Sequence, residues 1–201
     1  MSGRSYRGMS AEERLAERRE RLLSAAYTLY SDPGFPDTTI ERLCASARIS
    51  NRAFYECFSG RDELMQAVYD RCVQETLQSV SKSIEQAPDT LIDRIRAGIT
   101  GYVTFVTEDR RRARIMHLEV RRAGDCLITS RQRAVTAFTR MIESNITDLP
   151  DAVKANRHLL ALSMIGALQE LLIEWVVADE APAIDHLIST ATHVFYRSFV
   201  T

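Results

Sequence analysis

Apolar residues return every three or four positions along most of this chain, which is the period of a helix with one buried face and not of a strand. Ser10 and Glu13 form a capping box that opens a first helix to about Tyr30, with Leu15, Leu22, Leu23, Ala26, Leu29 and Tyr30 on its packing side. Asp32-Pro33-Gly34 ends it, and Phe35 is placed to plug a small core beside Ile40 and Phe54. Thr38 with Glu41 reads as a second capping box, opening a short helix that turns Ile40, Leu43, Cys44 and Ala47 inward and stops near Arg48. Ser50 is the N-cap of another, with Ala53, Phe54 and Phe58 inward and Asn51, Arg52, Tyr55 and Glu56 outward.

The pattern beyond this point predicts six more helices. Ser59 caps a long one from about Arg61 to Gln86, whose Leu64, Val68, Cys72 and Leu77 continue the first core into the rest of the chain. Pro88-Asp89 starts a fifth, Glu108 to Arg112 forms a polar corner, and a short sixth runs from Arg114 to Arg122. A seventh covers about Leu127 to Ile146, an eighth follows Asp148-Leu149-Pro150 and reaches Val177, and a ninth follows Pro182 to the C-terminus. The expected class is all-α, about nine helices, with a three-helix unit in residues 1–60 and a larger helical domain in 61–201.

Composition narrows the function. A formal net charge of −1 argues against a general polyanion binder, so any contact with nucleic acid must come from local placement of charge. The four cysteines, Cys44, Cys57, Cys72 and Cys126, lack C-x-x-C spacing and read as reduced core residues of a cytoplasmic protein. The apolar stretch Leu159 to Ala178 is interrupted by Gln169, Glu170 and Glu174, which argues against a membrane span. His117, His158, His186 and His193 form no HExxH, and there is no phosphate-binding Gly loop or nucleophile elbow, so no enzyme, cofactor or metal site is expected.

Two short helices joined by a tight turn, the second carrying Asn, Arg and Tyr outward, form a helix-turn-helix suited to the major groove. The TT-I-x-x-L-x-x-x-A-x-I-S start, the F-Y-x-x-F of the second helix and the following S-G-R-D-E-L resemble the DNA-binding domain of the TetR family of bacterial transcriptional regulators. The resemblance covers about the first third of the chain. It implies an all-helical homodimer that binds double-stranded operator DNA and a small apolar effector. The turn holds Arg48 where the family usually has Gly, so either Arg48 adopts a positive φ at a cost on the order of 1 kcal/mol or the turn is built differently.

The candidate DNA-binding residues are Thr38, Thr39, Arg48, Ser50, Asn51, Arg52, Ala53, Tyr55 and Arg61. Tyr55 has no core to fill and its hydroxyl can reach phosphate; Arg52 can grip guanine, and Asn51 adenine or a phosphate. Glu56 is a repulsive neighbour for phosphate unless it finds a partner. Residues Met1 to Met9 carry Arg4 and Arg7 without periodicity and read as a frayed terminus or as an arm that drops an arginine onto DNA. The candidate ligand set is Tyr69, Tyr102, Phe105, His117, Phe138, Met141, Glu170 and Trp175, which as single residues are equally well core. The candidate dimer interface is Leu160, Ser163, Gly166, Ala167 and Leu171 with Leu187, Ile188, Ala191, Val194 and Phe195, because a helix pair apolar on more than one side needs a second surface. The alternative is a helical ligand- or partner-binding protein of the same fold without operator binding.

Overall fold

The computed structural model describes residues 10–146 and 155–200, with backbone only at Val200. The N-terminal arm, the Asp148-Leu149-Pro150 start of the eighth helix and Lys154 lie outside the described residues. Among those described there are nine helices and no strand. They are α1 (Ala11–Leu29), α2 (Ile40–Ala47), α3 (Asn51–Cys57), α4 (Arg61–Glu85), α5 (Leu91–Glu108), α6 (110–122), α7 (Ile128–Asn145), α8 (Arg157–Val177) and α9 (Ile184–Val200).

Local chemistry sets most boundaries. The Ser10–Glu13 capping box is present. Leu15, expected to pack, is 41% exposed, because α1 extends past the core it covers from Leu22 onward. The cap of α2 is Thr39, whose Oγ1 accepts from the Arg42 N–H; Thr38, expected as the cap, is fully buried one residue earlier. Ser59 does not cap α4. Its N–H and hydroxyl both donate to the Glu63 carboxylate, at 2.7 and 2.8 Å, and Gly60 holds the cap position. Thr90 caps α5 in place of Pro88-Asp89, and Asp109 caps α6, so the expected polar corner is already the first turn of that helix. Within α6 the stretch Arg114–Glu119 is wound as a π-helix.

Helices α1 to α3 close on a core of Leu22, Ala26, Tyr30, Leu43, Phe54 and Phe58, each essentially inaccessible to water. Burying one such large side chain contributes about 1.5–3 kcal/mol, which lets so small a unit hold three short helices in place. Leu64, Met65 and Val68 of α4 join the same core, and Cys72 and Val73 carry it on into the second half of the molecule. There α4 packs along α5 and against α7, α9 lies on α5 and α8, and α8 contacts α6 and α7. The α4–α5 approach is close because residue 101 is glycine: a Cβ there would stand 2.5 Å from Ser83 Oγ and 3.4 Å from the Val80 Cα. Among the described residues α8 alone is long and apolar enough to cross a membrane by length and composition, but here it is a core helix with Ala161 and Leu172 fully buried.

Candidate functional site: a reading head and an apolar slot

The turn between α2 and α3 is held from outside. Arg48 takes the left-handed conformation, φ 54° and ψ 51°, so the strain expected of a non-glycine residue is accepted. Arg48 N–H donates to Ala45 O at 3.2 Å and Ile49 N–H to Cys44 O at 3.0 Å, which closes the end of α2. Arg21 of α1 then donates to the carbonyls of Ala47 and Arg48, fixing the turn to the first helix. Ser50 caps α3 as expected, its Oγ accepting from Ala53 N–H at 3.2 Å.

On the outward face of α3, Asn51, Arg52 and Tyr55 fill no core. Tyr55 is 59% exposed, and the Arg52 side chain is 91% exposed beside an exposed Asn51. Glu56, the expected source of repulsion, is bridged by Arg18 of α1 at 2.7 Å and by Arg52 one turn earlier at 3.4 Å. Two guanidiniums around one carboxylate leave this corner positive. Ala53 is half-buried and contributes only backbone. Two other candidates serve the scaffold instead. Thr38 Oγ1 donates to Leu29 O at 3.1 Å or Gly34 O at 2.7 Å inside the protein, so its side chain is not at the surface. Arg61 lies over the Phe35 ring and donates to the carbonyls of Phe35 and Thr38, tying the loop before α2 to the start of α4.

In the second half of the molecule five of the eight candidate ligand residues come together. Tyr69, Tyr102, His117, Phe138 and Met141 line one slot between α4, α5, α6, α7 and α8, with Ile84, Ile95, Ile99, Met164 and Leu168 among their apolar neighbours. Its free volume is about 80 Å³, narrow for a site whose helices run beside it over several turns. Tyr102 packs edge-on to Phe138, with ring centroids 5.4 Å apart, and its hydroxyl lies 3.5 Å from His117 Nε2. Three candidates are elsewhere. Phe105 is covered by the Arg112 guanidinium at 3.6 Å, and Trp175 packs under Arg110 near the α1–α3 end. Glu170 is 68% exposed and pairs with Arg121 at 3.1 Å on the surface. Charge on a helix that is otherwise apolar marked an exposed edge, not a pocket. Arg94 and Asn145 also line the slot, at its far end, and nothing in their sequence spacing separates them from ordinary surface residues.

His117 is fully enclosed, and burial, with a smaller contribution from Arg121, pushes its pKa down to about 3. The folded-state value lies below the unfolded one, so the unfolded chain binds the proton first and stability falls as pH drops from about 6.5 towards 3. Between pH 6.5 and 5 this group alone should remove about 2 kcal/mol. His117→Gln should flatten the difference between urea unfolding curves at those two pH values, and an equally steep pH dependence in the variant would assign the effect to other groups.

The candidate dimer face divides. Ser163, Gly166 and Ala167 of α8 are exposed, Leu160, Leu171 and Ile188 are half-buried, and Val194 of α9 is 49% exposed. Leu159 and Val177 extend this apolar surface along α8. Leu187, Ala191 and Phe195 are buried within the protomer, because α9 turns that side onto α5 and α8.

Residues 22–68 match the family described as bacterial regulatory proteins, tetR family. The chain is 28% identical over 100 residues to the HTH-type transcriptional activator FasR of Mycolicibacterium smegmatis, covering 50% of this chain and 45% of that protein. It is 27% identical over 73 residues to the nicotine-responsive transcriptional repressor HdnoR of Paenarthrobacter nicotinovorans, covering 36% and 38%. The matched segments thus span less than half the length of these relatives, which are transcriptional regulators and not enzymes. In three dimensions the fold superposes on the regulator FadR of Bacillus subtilis, solved in complex with stearoyl-CoA, with a TM-score of 0.76 over 90% of this chain and 98% of that one at 12% identity. The helix-turn-helix geometry and the family match across it lead to one conclusion: residues 22–68 are a segment of the kind found in bacterial regulatory proteins of the tetR family, within a chain that shares the fold of a solved transcriptional regulator.

Proposed function

We propose that this protein is a ligand-responsive transcriptional repressor that binds a palindromic operator as a homodimer and is released by a small, largely apolar effector. The observation that carries the reading is the outward face of α3, where Asn51, Arg52 and Tyr55 are exposed on a helix already anchored by Phe54 and Phe58. Residues up to 60 are the reading head and 61–201 the ligand-binding and dimerisation domain, with the exposed face of α8 and α9 as the interface. Thr39, Arg48 and Ser50 flank the head at the surface and join it as backbone contacts. The slot supports the effector, as does the acyl-CoA bound by a regulator of the same fold. Because α4 is shared by both cores, a ligand that favours another tilt of α4 changes the separation of the two heads. Coupling of about 1–3 kcal/mol would weaken operator affinity roughly 5- to 150-fold. A protein that binds an operator in this way works in the cytoplasm.

The test uses DNA flanking the protein's own gene. Arg52→Ala should weaken binding to the protected site by about 1–3 kcal/mol, and Tyr55→Phe should weaken it across all sequences, both with unchanged thermal stability. Unchanged affinity in both variants would remove α3 as the reading helix. Failure of the wild-type protein to bind any such DNA would leave a partner-binding protein of the same fold.

A further inference from the structure

The apolar slot has a neighbour across one wall. Tyr69, Met116, His117, Val135 and Gln169 line it and also line a second, wider cleft of about 420 Å³ that opens to solvent between α6 and α7. The two spaces share a wall and differ in character. The slot is walled almost wholly by aliphatic and aromatic side chains, with Arg94 at its far end already paired to Asp89. The cleft carries Arg121 from α6 and Arg131 from α7, with Gln132 and Thr136 beside them and no carboxylate in its lining. Arg131 is half-buried and, among the described residues, has no hydrogen bond or ion pair. Arg121 has only its surface contact with the well-exposed Glu170.

Both arginines line the cleft. The charge of Arg121 acts on His117 and that of Arg131 on the Tyr69 hydroxyl, which with Gln169 are the polar groups of the shared wall. Arg94 and Tyr102 bracket the length of the slot on α5; eight residues at 1.5 Å each make it about 12 Å long. A small free volume spread over that length suits a single linear chain and not a fused ring system. A chain whose end lies at the shared wall is next to the cleft, where exposed Arg121 and half-buried Arg131 favour negative charge.

From this adjacency we infer that the effector is an amphipathic anion, with a linear hydrocarbon tail in the slot and an anionic head held in the cleft by Arg121 and Arg131. This rests on the ligand-responsive reading above and adds the chemical class and the two residues that select it. A free carboxylate and the phosphorylated head of an acyl thioester share the required chemistry.

Isothermal titration of the full chain with laurate, lauroyl-CoA, 1-dodecanol and CoA alone, each below its micelle concentration, tests it. At least one anionic amphiphile should bind 10-fold or more tighter than dodecanol, and more weakly as salt is raised. A preference for lauroyl-CoA assigns the head to the phosphorylated thioester, and equal binding of laurate assigns it to the carboxylate. Arg121→Gln and Arg131→Gln should each reduce affinity for the anion roughly 10-fold, as for a lost charge-assisted hydrogen bond, and leave dodecanol unaffected. Dodecanol binding as tightly as the anions, anion affinity unchanged in both variants, or CoA alone binding as well as lauroyl-CoA would overturn the inference while leaving an apolar effector standing. If none of the four binds, the inference is overturned, and the ligand-responsive reading is judged separately by whether any apolar compound in a thermal-shift screen weakens operator binding.

Discussion

Glu119→Ala should lower stability by about 2–4 kcal/mol, a large effect for a charged residue. Glu119 sits on α6 with no exposure to solvent. One carboxylate oxygen accepts from the Phe35 N–H at 3.0 Å, in the loop that leads to α2. The other pairs with Arg122 at 3.0 Å and Arg114 at 3.6 Å. Gly34 is required beside it: its φ is 117°, and a Cβ would stand 3.0 Å from Glu119 Oε2. Removing the carboxylate strands a buried N–H and leaves a cavity, while the arginines, both partly exposed, recover hydration and keep the cost below that of a fully buried pair. Glu119→Gln keeps an oxygen for Phe35 and should cost clearly less. Urea denaturation at one protein concentration measures both; equal losses would show that charge, not the Phe35 hydrogen bond, is what the site needs. The same contact bears on regulation, because Met116 and His117, which line the slot, lie within one turn of Glu119, and the loop it holds leads into the helix-turn-helix. Under the proposed function, a shift of α6 around a ligand would act on that loop directly, in addition to any tilt of α4.

Two substitutions in neighbouring helices should fail in opposite ways. Gly166→Glu places a charge on the exposed face of α8, where an added Cβ meets nothing within 4 Å, so the protomer should keep its fold and lose its partner. Two tethered heads gain on the order of 10²–10⁴ over one through effective concentration, and operator affinity should fall by that order. Ala191→Asp instead buries a carboxylate against α5, where residue 191 is 2% exposed, and should unfold the chain outright. Sedimentation velocity with circular dichroism separates the outcomes. A Gly166→Glu protein that stays dimeric with full operator affinity would place the interface on another face.

The helix-turn-helix was largely legible because its determinants are local. A capping serine, an aromatic pair at the right spacing and a polar outward face lie within a few residues of one another, and a short helix has little freedom to orient them otherwise. The errors there have the same origin in reverse. Thr38 and Thr39 are equally good caps by type, and only the carbonyls of Leu29 and Gly34, brought back by the turn after α1, draw Thr38 inward.

The sequence by itself determined the class, the nine helices and the Ser50 cap, since helical period and capping depend on neighbours within one or two turns; the five residues that meet in the slot were named from the family resemblance. Tertiary structure alone decided which side of each amphipathic helix became core, pocket or free surface. Leu187, Ala191 and Phe195 went inside because α5 and α8 cover that side of α9, whereas Gly166 and Ala167 remained outside. It also decided the charged residues. Arg18 quenches Glu56 from 38 residues away, Glu119 reaches Phe35 across 84, and Arg121 and Arg131 share a cleft that neither helix forms alone. A charge takes its role from what faces it, and in a helical protein that partner belongs to another helix.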